Sequence, residues 1–404
     1  MRVPVVVVGA GHSGLAVSHV LADRGVDHVL LERGEVANTW RTERWDSLRL
    51  LTPNWLTRVP GLAYDGPDPD GYMPVAELVA FLDRYATGCA APIHTGTEVT
   101  AVQAADDGGY RVETAAETWE AAAVVLASGP FNEAKLPAVA ADLPAGLEQV
   151  TALDYRRPSQ LRPGRVLVVG ASATGIQIAD ELLGSGREVT LAVGEHVRMP
   201  RTYRGRDIFD WLGRIGRLDE RYDEVDDLVR ARHVPSPQLA GTPDHSDLDL
   251  NAVTARGADL VGRLSAVRDG TGYFSGSLRN VCNLADLKQR RLLDAIDETV
   301  GGRGPRPKPT RVDDDPRLAA DLAADGYETV LWATGFRPDH SFVHLPVFDR
   351  KGDLRHDGGV VSDAPGLYRT GLNFLRRRKS TFIHGATDDA TDLVDHLVAN
   401  LATT

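Results

Sequence analysis

Short apolar runs alternate with segments of helical period along most of this chain. Val3–Val8 is an apolar run ending in glycine, Leu15–Ala22 has helical spacing, and a second apolar run stops at Glu32. The same order returns between Arg165 and Val193. Strand, small-residue turn, helix and strand in succession predict an α/β fold with parallel sheets. A helix is predicted over Val75–Thr87, strands over Glu98–Gln103, Tyr110–Thr114 and Thr118–Glu120, and a buried strand in AAAVVLASG. Residues 34–73 carry Trp40, Trp45, Trp55 and many arginines without periodicity, and read as loops with short helical turns. Residues 196–310 are the least regular. They predict an acid-rich helical stretch at Asp219–Arg232 with a solvated face, a strand at Asp259–Val267 and a helix at Leu284–Val300. A closing helix is predicted over about Thr387–Leu401.

A length of 404 residues with 42% hydrophobic content supports two domains with sizeable cores. The net charge of −12 argues against nucleic acid or an anionic membrane surface as a partner. No apolar run approaches the ~20 residues of a membrane span, and Val3–Val8 is too short for a signal segment. A cytoplasmic protein is the expectation; oligomeric state is not legible. Cys89 and Cys282 lie far apart without a C-x-x-C spacing, so each reads as a buried small apolar residue. His196, His233 and His245 have no ligand spacing, and no metal site is expected.

The chemistry lies in the repeated unit. Gly9, Gly11 and Gly14 sit between strand and helix, and Glu32 follows Gly14 by 18 residues at the end of the next strand. Such glycines let backbone N–H groups approach a pyrophosphate at the positive end of a helix, while the acid accepts from the ribose. The second copy aligns without a gap: Gly170 opposite Gly9, Ser172 opposite Gly11, Gly175 opposite Gly14, and Thr174 just before it. Val193 falls opposite Glu32, and Arg198, Arg201, Arg204 and Arg206 follow. An arginine pairs with a 2′-phosphate where an acid repels it. The first site therefore fits FAD and the second NADPH, through Arg198 and Arg201; the alternatives are a solvated arginine loop and an unphosphorylated ribose on Glu195. VVLASGPF and TVLWATGFRP both read as buried strands closing in a small-small-Gly turn, one before the inserted unit and one after it.

These motifs, with TWR (Thr39–Arg41), SLRLLTPNW (Ser47–Trp55) and the segment PGLYRTGLNFLRRRKS, resemble the flavin-dependent monooxygenases of the flavin-containing, YUCCA-like and Baeyer–Villiger superfamily. The resemblance implies two Rossmann-like domains: an FAD domain at 1–154 and 325–404, interrupted by an NADPH domain at 155–324. It implies FAD contacts from Gly9, Gly11, His12, Ser13, Gly14, Glu32, Arg33, Thr39, Trp40, Arg41, Val99, Ala127 and Gly129. Further cofactor contacts are implied at Thr334 and Gly335. Asn54 is the candidate catalytic amide, or else a turn residue beside Pro53. Arg376–Lys379 reads as a phosphate contact or a solvated basic turn, and the last helix as aiming its N-terminus at the flavin. The family motif F-x-G-x-x-x-H-x-x-x-W/Y is incomplete here: Gly146 and Tyr155 fit, but Thr151 stands near the histidine position. The implied reaction uses O2 and NADPH to put one oxygen atom into a small molecule through a flavin hydroperoxide. A reductase without oxygen insertion and a non-catalytic redox sensor are the alternatives.

Overall fold

The computed structural model describes residues 1–89 and 92–402. The first half begins with strand β1 (Arg2–Val8), helix α1 (His12–Asp23) and strand β2 (His28–Leu31). Helix α2 (Val75–Gly88) follows, then β3 (Ile93–His94), β4 (Val99–Ala104), β5 (Tyr110–Thr114) and the long β6 (Thr118–Leu126). The second half contains β7 (Glu148–Thr151), β8 (Arg165–Val169), α3 (Ala173–Gly184) and β9 (Val189–Val193). It continues with α4 (Ile208–Arg214), β10 (Asp259–Gly262), α5 (Leu278–Val300) and β11 (Tyr327–Trp332). Strand β12 (Leu367–Arg369) and helix α6 (Gly385–Leu401) close the chain.

The first sheet has the order β3-β2-β1-β6-β5-β4, with β12 beside the end of β6. The second is parallel throughout, in the order β7-β11-β8-β9-β10. Both follow from apolar runs that are covered on two faces. Val5, Val6 and Val7 are 0% exposed, and each buried valine contributes about 1.5–3 kcal/mol relative to exposure. Helices α1 and α6 seal one face of the first sheet with Leu15, Leu21, Leu393 and Val394. Among the described residues, no helix is long and apolar enough to cross a membrane.

The gapless alignment of the two units is reproduced strand by strand. Val5 pairs with His28 and Val8 with Leu31 in the first sheet; Val166 pairs with Val189 and Val169 with Ala192 in the second. One correction concerns TVLWATGF. Expected as part of the returning first domain, its strand β11 lies in the second sheet beside β8. The pairing Val8 to Leu126 in the first sheet matches Val169 to Trp332 in the second, so β11 is the second unit's counterpart of β6. Its apolar side chains fill the gap that β8 would otherwise expose. With β7 also there, the second sheet reaches beyond the expected limits of 155 and 324 on both sides. The chain crosses between halves on a two-strand ribbon, Ala134 against Phe336 and Glu133 against Arg337.

The irregular middle diverges most from expectation. Only Leu228–Arg232 of the predicted helix Asp219–Arg232 is helical. The residues before it spend their backbone groups elsewhere: Tyr222 N–H donates to Arg376 O at 3.0 Å, and Glu220 O accepts from Arg378 N–H. The predicted strand Asp259–Val267 divides at Arg263 into β10 and Leu264–Arg268, which pairs antiparallel with Thr271–Phe274.

Candidate functional site

The first glycine loop is shaped by contacts that exclude side chains. Gly9 has φ +108°, and a Cβ there would lie 2.7 Å from Ala127 O. A Cβ on Gly14 would lie 2.0 Å from Gly9 O, so α1 packs directly on the loop. Gly11 has open space instead and lines a cleft at the carboxyl ends of β1, β2 and β6. Glu32 is buried at the end of β2. Its carboxylate accepts from Ala10 N–H at 2.8 Å and Gly34 N–H at 3.0 Å.

Of the residues expected at this site, Gly9, Gly11, His12, Ser13, Glu32, Arg33, Thr39, Trp40, Val99, Ala127 and Gly129 line the cleft. Gly14 acts beneath it as a packing contact. Arg41 points away: it donates to Val36 O at 2.7 Å and is paired with Asp83, whose carboxylate reaches it from α2. Arg44, three residues further on, takes the inward place. Its guanidinium lies between Trp40 and Phe131, 5.4 and 5.5 Å from their ring centres. Burial lowers its pKa to about 10, which still leaves it charged at neutral pH. Asn38, Asn132, Asp339, Gly371 and Thr381 also line the cleft and had no sequence signal of their own beyond adjacency to motifs.

The walls fit a dinucleotide. His12 Nε2 and Ser13 Oγ are buried at the start of α1 without hydrogen-bond partners, and such orphans call for a ligand group. Burial lowers the His12 pKa to about 4, so its ring is neutral.

The second loop repeats the construction. Gly170 has φ +107°, a Cβ on it would meet Ala333 O at 2.4 Å, and a Cβ on Gly175 would meet Gly170 O at 1.8 Å. Ser172 is the N-cap residue of α3, with Thr174 in its first turn. Thr334 and Gly335 follow β11 and so belong beside this loop; Thr334 Oγ1 donates to Lys135 O at 2.6 Å. The buried Gln238 donates to Ala171 O at 2.7 Å, where the first unit uses Glu32 on Ala10. Gln238 Oε1 and His196 Nε2 are buried without partners nearby.

The arginines expected at a 2′-phosphate are engaged within the fold. Arg198 is 4% exposed and donates to Asp249 at 2.9 and 2.6 Å and to Asp286 at 2.7 Å. Arg201 is fully buried, bound to Leu51 O and Asp207. Arg204 and Arg206 pair with Asp297 and Asp210. The cation beside the strand end is Lys288 of α5, which holds Glu195 at 2.9 Å. Arg376, Arg377, Arg378 and Lys379 are likewise occupied, by Asp392, Asp389, Glu220 and the pair Asp219 and Asp388. They anchor the middle segment and α6 rather than a phosphate.

Asn54 is buried at the head of a 3-10 turn, Asn54–Leu56. Its amide donates to Asp68 O at 2.9 Å, which holds it in place, and its Oδ1 is buried without a partner. Thr151 ends β7 and donates to Asp154 at 2.6 Å; Tyr155 is fully buried and donates to Glu181. Cys89 and Cys282 are both free.

Residues 6–204 match the family described as pyridine nucleotide-disulphide oxidoreductase. The chain is 31% identical over 399 residues, 98% of both chains, to an uncharacterized oxidoreductase CzcO-like of Geobacillus kaustophilus. Over 213 residues, half of each chain, it is 32% identical to indole-3-pyruvate monooxygenase YUCCA1 of rice. A flavin-containing monooxygenase from Stenotrophomonas maltophilia has the same fold, with a TM-score of 0.70 at 21% identity over 98% of both chains.

Proposed function

The chain belongs with the CzcO-like oxidoreductases, and we propose that it is a flavin-dependent monooxygenase that uses FAD and NADPH to insert one oxygen atom of O2 into a small organic molecule. The observation that carries the reading is the doubled unit: two glycine loops with matching registers, each with its own strand closing over it. An enzyme that only bound a flavin would need one.

The flavin supplies the chemistry with dioxygen and the nicotinamide supplies the hydride. The chain's residues do the rest. The amides of the Gly9–Gly14 loop and the N-terminus of α1 would hold the pyrophosphate of FAD, and the Glu32 carboxylate would accept from its ribose. Arg44, half-buried beside Trp40 and Phe131, contributes positive charge at that end of the cleft. Asn54 offers its unpaired Oδ1 to a donor on cofactor or substrate. At the second loop, Lys288 masks the charge of Glu195 and supplies the cation for a 2′-phosphate.

Cys89 and Cys282 lie in different halves of the chain and are unpaired, so no dithiol is present to pass electrons to a disulfide. The experiment is aerobic NADPH oxidation by the flavin-loaded enzyme against amines, sulfides, ketones and carboxylic acids, with product mass measured. Substrate-stimulated oxidation with one added oxygen atom is expected. NADPH oxidation that never yields an oxygenated product would replace this reading with a reductase.

A further inference from the structure

A second cavity opens between α4, the Asn54–Leu56 turn and the start of α6. Its apolar walls are Trp55, Leu56, Phe209 and Leu218. His384, the N-cap residue of α6, lines the same cavity and is 3% exposed. Neither of its ring nitrogens has a hydrogen-bond partner. An unpaired buried polar group costs about 1–3 kcal/mol, and one lining a cavity marks where a ligand supplies the missing partner.

The cations at this cavity differ in whether a carboxylate holds them. Arg214 is paired with Asp210, and Lys379 with Asp219 and Asp388. Arg58 is exposed and has no ion pair among the described residues. Arg58 is therefore the lining cation free to take an anionic ligand, next to the positive end of the 17-residue helix α6.

Position ties this cavity to the dinucleotide cleft. Thr381 lines the cleft and His384, three residues later, lines the cavity. Asn54 heads the turn that supplies Trp55 and Leu56. The far wall comes from the segment after β9, pinned by Lys379 N–H to Leu218 O at 3.1 Å.

We infer that this cavity holds the molecule to be oxidised, and that it is a small apolar carboxylic acid, its body against Trp55 and Phe209 and its carboxylate on Arg58 and His384. The word substrate rests on the monooxygenase reading; the ligand class does not. A protonated amine would face Arg58 unshielded.

Equilibrium binding to the flavin-loaded protein, without NADPH, tests this by calorimetry and tryptophan fluorescence. The probes are 3-phenylpropionate, its amide and 3-phenylpropylamine. The carboxylate should bind at least tenfold tighter than either analogue. Arg58→Gln, at an exposed position, should erase that difference. Gly213→Leu should block the carboxylate and amide alike, because a Cβ there meets only Leu218, at 4.0 Å, and the longer chain fills the cavity. Retained flavin absorbance and circular dichroism confirm folding of both variants. Equal binding of acid and amide, or acid binding that survives both variants, overturns the inference. Acid binding with no oxygenated product from any compound leaves the ligand class standing and removes the monooxygenase reading. Oxygenation of amines or sulfides with no acid binding does the reverse.

Discussion

Arg198 and Asp249 are joined by two hydrogen bonds, 2.9 and 2.6 Å long, in a pair that is almost wholly buried. Asp286 holds the remaining arm of the guanidinium at 2.7 Å. The arginine is thus a structural clamp between the segment after β9, the start of helix Leu250–Ala255 and α5. Arg198→Ala leaves two buried carboxylates without their cation, and removing one partner of such a cluster costs about 3–5 kcal/mol. The expected outcome is a large fall in melting temperature, read by calorimetry. The NADPH to NADH preference of the folded fraction should stay unchanged; loss of that preference alone, at full stability, would falsify the assignment.

Lys288 is the residue whose removal should alter cofactor choice. In Lys288→Ala the carboxylate of Glu195 is unmasked where a 2′-phosphate would sit. The kcat/KM for NADPH should drop about tenfold relative to NADH, equivalent to ~1.4 kcal/mol. Stability should barely change, since the pair is partly exposed. Steady-state kinetics with both cofactors decides it.

The two loops can be separated by paired substitutions. Gly14→Ala places a methyl group 2.0 Å from Gly9 O, and Gly175→Ala places one 1.8 Å from Gly170 O. Each overpacked loop should cost roughly 1–3 kcal/mol. Gly14→Ala should lose flavin on gel filtration. Gly175→Ala should stay yellow but no longer be reduced by NADPH, as seen by bleaching of flavin absorbance under nitrogen. Identical behaviour of the two variants counts against separate sites.

Asp389 in α6 is 1% exposed, and burial raises its pKa from 3.8 to about 6. A carboxyl with a raised folded pKa holds its proton better in the folded chain. Its contribution is therefore present below about pH 4 and is lost as pH rises through about 6. Asp389→Asn should remove that slope, at most about 1.4 kcal/mol per pH unit. Urea unfolding of parent and variant between pH 4.5 and 7 measures the difference; parallel curves would rule it out.

Much of the first site was legible because its determinants are local. Gly9, Gly11, Gly14 and Glu32 belong to one strand–helix–strand unit, and the hydrogen bond from Ala10 N–H to Glu32 spans only that unit. The second loop was legible for the same reason, by simple repetition. Arg44 was hidden by its neighbour: Arg41 and Arg44 lie on one short turn, and only the reach of Asp83 from α2 decides which faces outward.

The sequence by itself determined the α/β class, the two dinucleotide units and their alignment, since apolar period and glycine placement act over a few residues. The tertiary structure alone decided which sheet receives Tyr327–Trp332. A buried parallel strand reads the same beside either partner, and its place depends on which sheet lacks a neighbour for β8. It also decided the fate of Arg198, whose carboxylate partners stand 51 and 88 residues away. An arginine's charge is written in the sequence. Whether a ligand can use it depends on the carboxylates that folding brings within reach.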